Sequence, residues 1–169
     1  MTKNEVLELV PYTPLWKKYF QKEKTNLKKL LRNNLVAVHH IGSTAIPLIK
    51  ARPTLDLLAV VHTHDGIEAF SSEFAKTGLK KSSLLKKEDT LFFERLSSDS
   101  SRTITSIKVL EKHKTEINDD IDFRDYLNAE PEMAKNYENL KLQLAKEGQV
   151  SLYQAAKKEF IETVLKNIT

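Results

Sequence analysis

The sequence predicts an α+β domain: a small mixed β-sheet with a helix before it and helices packed on it from the C-terminal part of the chain. Three observations predict this. Apolar residues at helical spacing fill 14–31 and most of the chain after Asp119. Between them lie four short β-branched or aromatic runs, Leu35–Ile41, Leu55–Val61, Leu91–Leu96 and Thr103–Leu110. The length, 169 residues, is that of one ordinary domain, and no repeat, Gly/Ser linker or low-complexity tract divides it, so 1–169 is read as a single unit.

Taken in order, Thr13 is the expected N-cap and Pro14 the first turn of a helix that points Trp16, Phe20, Leu27 and Leu31 inward. Leu35–Ile41 is a strand, broken by Gly42-Ser43-Thr44. Leu55–Val61 is apolar apart from Asp56 and reads as a central strand buried on both faces. Asp65 is the expected cap of a helix carrying Ile67, Phe70 and Phe74, which Gly78 ends. The runs at 91–96 and 103–110 form two strands joined by the polar turn Ser97 to Arg102. Helical spacing returns at Asp119 with Phe123, Tyr126 and Leu127. Pro131 opens the next helix, with Tyr137, Leu140 and Leu144, and Gly148 closes it. Ser151 is the expected cap of the last helix, whose Tyr153, Phe160, Ile161, Val164 and Leu165 face inward.

Composition excludes several classes. Without cysteine there is no disulfide scaffold, thiolate zinc site or cysteine nucleophile. No apolar run approaches the ~20 residues that span a bilayer, and the start has one basic residue and no apolar core before Pro11, so a cytoplasmic location is expected. The net charge of +4 favours an anionic partner only mildly, and most lysines are interleaved with acids as on solvated helix faces. Basic residues do not alternate with aromatics, so there is no specific nucleic-acid signal. Walker, Rossmann, Gly-x-Ser-x-Gly and His-Glu-x-x-His motifs are all missing.

The chemistry concentrates in residues 39–61: a strand, a Gly-Ser turn, a short helical segment, and a strand with a carboxylate near its start. Gly42 lets backbone approach a ligand, and a helix opening at Ser43 would offer free N–H groups to a phosphate. Asp56, thirteen residues after Ser43, could hold Mg²⁺ beside phosphates, since that ion prefers one or two carboxylates plus phosphate oxygens.

These residues resemble the GrpB-like family of the nucleotidyltransferase fold. His40, Gly42, Ser43, Thr44, Ala45, Ile46, Pro47, Pro53 and Asp56 match its central motif, with Arg52 where the family has lysine. Val10, Tyr12, Pro14 and Trp16 resemble its opening, Phe123-Arg124-Asp125-Tyr126-Leu127 its later signature, and Tyr137, Leu140, Lys141, Tyr153, Lys157 and Phe160 its closing helices. The resemblance implies a nucleotidyltransferase-like mixed sheet and transfer of a nucleoside monophosphate from an NTP to an acceptor that the sequence does not name. Asp56 would be the catalytic residue and the ligand of a weakly bound Mg²⁺. His40, Gly42, Ser43, Thr44, Arg52, Arg124, Lys141 and Lys157 would bind nucleotide or phosphate.

The chain also departs from the family. Leu48 replaces a glycine, Leu58 the second acidic residue of the Asp-x-Asp pattern, and Ser106-Ile107-Lys108 a His-x-His motif. Asp56 is left as the one clear carboxylate, with Glu94 and Glu111 on neighbouring strands as candidate replacements. The alternative reading is therefore a catalytically inactive nucleotide- or anion-binding module of the same fold. Bland roles compete at each position: Ser43 and Thr44 as helix caps, Asp56 paired to Arg52 or Arg124, His40 as a structural histidine, and the two lysines as solvated helix faces. The site expectation is one cleft lined by Ser43, Asp56 and Arg124, with His40 at its edge.

Overall fold

The computed structural model describes residues 8–83, 85–147 and 150–168. Its elements are α1 (Leu15–Leu31), β1 (Leu35–Ile41), β2 (Leu55–Val61), α2 (Ser71–Lys76), β3 (Lys80–Lys81), β4 (Leu91–Leu96), β5 (Thr103–Glu111), α3 (Glu116–Ala129), α4 (Pro131–Glu147) and α5 (Val150–Ile168). The sheet is mixed, in the order β1-β2-β5-β4-β3. β2 runs parallel to β5, and every other pair is antiparallel.

The interior strand buried on both faces is the one expected. β2 lies between β1 and β5 and is buried along nearly its whole length. Its side chains alternate as a pleated strand requires. Leu55, Leu57, Ala59 and Val61 pack under α1 and α2 with Trp16, Leu27, Phe74 and Phe93. Leu58 and Val60 face the other way, with Ile41, Leu110 and Ile117, beneath α3. Helices α4 and α5 pack on α3 and on the loop after β1, where Ile46 and Ile49 join Phe123, Leu127, Tyr137 and Val164.

Several boundaries differ from the sequence expectation. α3 starts at Glu116, three residues before Asp119. Asp65 caps nothing: a 3₁₀ turn, Ile67–Phe70, precedes α2, and its first bond runs from the Ile67 N–H to the His64 carbonyl (3.2 Å). Gly66 and Thr63 shape that corner instead, Gly66 at φ +76° and Thr63 through its hydroxyl, which accepts from the Asp65 N–H. Pro14, not Thr13, takes the N-cap position of α1, and the Thr13 hydroxyl lies one residue further out, 3.4 Å from the Leu15 N–H. Gly78 does end α2, at φ +79°. Closure at Gly148 lies outside the described residues, and Ser151 falls in the first turn of α5 rather than before it.

Candidate functional site

Gly42 leaves β1 at φ +71° and ψ −173°, a region that glycine alone occupies without strain. The cause lies across the ladder, where Ile41 pairs with Asp56. A Cβ on Gly42 would stand 2.6 Å from Oδ2 of Asp56. The expected neighbourhood of turn and carboxylate is therefore a direct contact. Beyond Gly42 the chain makes one 3₁₀ turn, Ser43–Ala45, and not an α-helix, so no helix N-terminus awaits a phosphate here. Neither Ser43 nor Thr44 makes a capping bond.

Asp56 opens into a cavity of about 380 Å³ that Ser43, Arg52, Glu94, Ser106 and Lys157 also line. The sheet register explains the grouping. Asp56 pairs with Ser106 and Ser106 with Glu94, so the three form one row across β2, β5 and β4 and share a face. A second lobe of about 240 Å³ adds Gly42, Lys108, Asp119 and Asp120 around the same Asp56. Burial pushes the Asp56 carboxyl above its ordinary range, while the charges of Lys157 and Arg52 pull it down and Asp120 pushes it up again. Lys157 is held above its ordinary value by Tyr137 and then by Asp56 and Tyr153, against the opposing cost of burial.

The row beside it carries the departures. Leu58 pairs with Lys108, and Lys108 with Phe92. Leu58 is fully buried against Ile41, Val60 and Leu110. The ammonium of Lys108 reaches Asp120 at 2.6 Å. A cation of the protein thus stands next to the position where a second carboxylate would hold a metal. Among the described residues no three His, Asp or Glu side chains gather as a metal site. Glu94 lines the Asp56 cavity, whereas Glu111 sits at the far end of β5, paired with Val61, and accepts from the His64 N–H at 2.8 Å. Two carboxylates, Asp56 and Glu94, thus line one cavity, too few for a bridged pair of ions.

Four expected ligand-binding residues have other work. Arg124 does not line the Asp56 cavity; its guanidinium donates to the His40 carbonyl (2.9 Å) and to Asp125 (2.7 Å), fastening α3 to the end of β1. His40 stacks on Phe20 and meets the hydroxyl of Thr44 at 2.9 Å. Burial, helped by Arg124, lowers its pKa to about 4, so the ring is neutral at pH 7. Thr44 is 1% exposed and turned to His40. Lys141 is equally buried, and its ammonium donates to Ser43 Oγ (3.1 Å) and the Lys50 carbonyl (2.6 Å) over the Tyr137 ring. It holds the loop that carries Ser43.

That loop is secured from three sides. Glu138 accepts from the Lys50 N–H at 2.7 Å, one turn before Lys141 on α4. Val10 and Ala51 exchange both backbone bonds, at 2.8 and 3.0 Å. Sequence reading missed Glu138, and it missed Asp120 as the partner of Lys108. The i, i+3 spacing of Glu138 and Lys141 was visible, but solvated helix faces show the same pattern.

The family profile described as "GrpB protein" matches residues 6–167. The glutamate-rich protein GrpB of Alkalihalophilus pseudofirmus is 34% identical over 169 residues, covering 98% of this chain and 97% of that protein. The UPF0157 protein YqkA of Bacillus subtilis is 30% identical over 164 residues, 95% of this chain but only 47% of YqkA. The crystal structure of the conserved protein GrpB from Enterococcus faecalis superposes with a TM-score of 0.84 at 26% identity, covering 95% of this chain and 99% of that one. Cid1, in complex with its short product ApU, superposes with a TM-score of 0.53 over 78% of this chain and 41% of that one. At 12% identity that likeness is one of fold, the nucleotidyltransferase fold. On motif, sequence and structure alike, this chain belongs to the GrpB family.

Proposed function

We propose that this chain binds the phosphates of a nucleoside triphosphate in the cavity beside Gly42 and Ser43, and that it is a reduced nucleotidyltransferase. One observation carries the reading: the Gly42 backbone lies against Asp56, whose carboxylate lines a cavity together with Ser43, Arg52 and Lys157. Arg52 and Lys157 neutralise phosphate charge, and Ser43, held by Lys141, offers its hydroxyl. Asp56 with Glu94 would hold one Mg²⁺, which when bound supplies charge neutralisation at the phosphates. Transfer on this framework is an in-line displacement: an acceptor hydroxyl oxygen bonds to the α-phosphorus and gives up its proton to water, the bond to the oxygen bridging to the β-phosphorus breaks, and pyrophosphate leaves. The acceptor stays unnamed.

Leu58 and Lys108 support the second reading, an inactive binding module, because a buried leucine and a paired lysine stand where further metal ligands would be. Both readings expect nucleotide binding that depends little on Mg²⁺, and they divide on turnover.

Calorimetric titration with the four ribonucleoside triphosphates, with Mg²⁺ and with a chelator, tests the shared part. The expected result is binding that Mg²⁺ changes by less than about tenfold and that Lys157→Ala weakens by about tenfold or more. No binding under either condition sinks both readings. Release of pyrophosphate above the uncatalysed level favours the transferase. Leu58→Asp is the sharper variant: it is expected to destabilise the protein, because the new carboxylate is buried, and to increase the response to Mg²⁺.

A further inference from the structure

β1 is an edge strand, since its one partner in the sheet is β2. Its outer side opens into a groove of about 590 Å³ lined by the five consecutive residues Leu35 to His39 together with Lys24, Lys28 and Arg32. Ladder bonds alternate along an antiparallel strand. The His40 carbonyl turns outward and is taken by Arg124. Val38, two residues earlier, therefore also directs its N–H and C=O outward, where no backbone partner among the described residues meets them. Val36 stands outside the register with β2, in a bulge, and is 47% exposed.

Cations dominate the charge beside this edge, although Asp125, paired with Arg124, acts at His39, and Glu73 lies near enough to Arg32 for their charges to interact. Helix α1 carries six lysines, and its one carboxylate, Glu23, is turned inward to Arg95. Lys24, Lys28 and Arg32 fall four residues apart, on one stripe of the helix and the turn that follows it, and none stands in an ion pair among the described residues. The stripe runs antiparallel to β1. Arg32 lies at the turn before Leu35, and Lys24 lies near enough to His39 for its charge to act there, with Arg124. Four helical residues rise about 6 Å. Two residues of an extended chain rise about 6.7 Å. The cations therefore match the spacing of every second side chain on a strand laid along β1. A second copy of this chain would bring the same cations against these, so self-pairing at this edge is opposed.

From this geometry we infer that the free edge of β1 binds an extended, acidic segment of a partner protein as a sixth strand. The segment carries a carboxylate at every second position, facing Lys24, Lys28 and Arg32, and its backbone completes the bonds of Val38. The inference is independent of the Asp56 cavity.

The test uses fluorescence anisotropy with a dye-labelled peptide of alternating glutamate and threonine. The comparators are a peptide of the same composition in two blocks, and single-stranded oligodeoxythymidine. The alternating peptide is expected to bind more tightly than either. Lys28→Glu with Arg32→Glu should weaken it by about tenfold or more, and Lys28→Gln, a milder surface change, should weaken it less. Amide exchange read by NMR should slow at the Val38 N–H when the peptide is present. Equal binding of the block peptide without protection at Val38, tighter binding of the oligonucleotide, or no binding at all overturns the inference.

Discussion

At Gly42 the chain adopts a backbone conformation closed to other residues, and the carboxylate of Asp56 fills the space a side chain would take. Gly42→Ala is therefore expected to cost roughly 1–3 kcal/mol from backbone strain alone, with more from displacing Asp56, and to abolish nucleotide binding. Urea unfolding and calorimetry would measure both losses; an alanine variant with wild-type stability would refute the contact. This residue was legible in the sequence, because glycine at a strand end beside a carboxylate has few other uses. Thr44, Lys141 and Arg124 were not. A hydroxyl, an ammonium and a guanidinium that bind protein groups carry the same letters as ones that bind phosphate, and only burial separates the two.

Elements meet through a few polar contacts that amphipathic periodicity hides. Glu23 of α1 is 4% exposed and pairs with Arg95 of β4. Arg95 also donates from Nε and Nη2 to the Thr77 carbonyl at 3.0 and 2.9 Å, so one guanidinium joins α1, β4 and the end of α2. Removing one partner of such a buried pair leaves the other charge uncompensated. Glu23→Ala is expected to cost about 3 kcal/mol in urea unfolding. The exposed Lys158–Glu162 pair of α5 is the contrast: Glu162→Ala should cause no measurable change. A Glu23→Ala protein as stable as wild type would show that this junction carries no weight. In the sequence Glu23 sits at a core-facing spacing, and the partner 72 residues away is what the spacing alone does not name.

For the whole molecule, two bases, half-buried His40 and buried Lys141, set a dependence of stability on pH. Burial lowers His40 to about 4 from an ordinary 6.5 and Lys141 to about 7 from 10.5. In both cases the unfolded chain holds the proton more firmly than the native protein, so stability rises with pH across each interval. The His40 contribution grows between those acid values, and the Lys141 contribution between neutral and alkaline pH. Asp56, raised by burial, acts in the opposite sense in acid, so each contribution is read as wild type minus variant. Urea midpoints are expected to rise from about pH 7 to about pH 9 in wild type and to stay level in Lys141→Met. His40→Gln should flatten the acid limb. A Lys141→Met variant with the wild-type slope would refute the assignment.

The sequence by itself determined the class of fold, the interior position of β2 and the family, because each rests on periodicity and on a local motif. Alternation and apolar content decide which strand is covered on both faces, and a glycine followed by serine fixes where the chain turns beside Asp56. The tertiary structure alone decided which charged residues face a cavity and which face one another. Lys157 and Arg52 line the cavity of Asp56, while Lys141 and Arg124 are engaged by the loop and by β1. It also placed Glu94 in one row with Asp56 and Glu111 at the opposite end of the sheet. Those outcomes depend on register and on pairings between residues about 50 to 100 positions apart. A buried charge is held by whichever distant group compensates it, and local sequence pattern does not encode that choice.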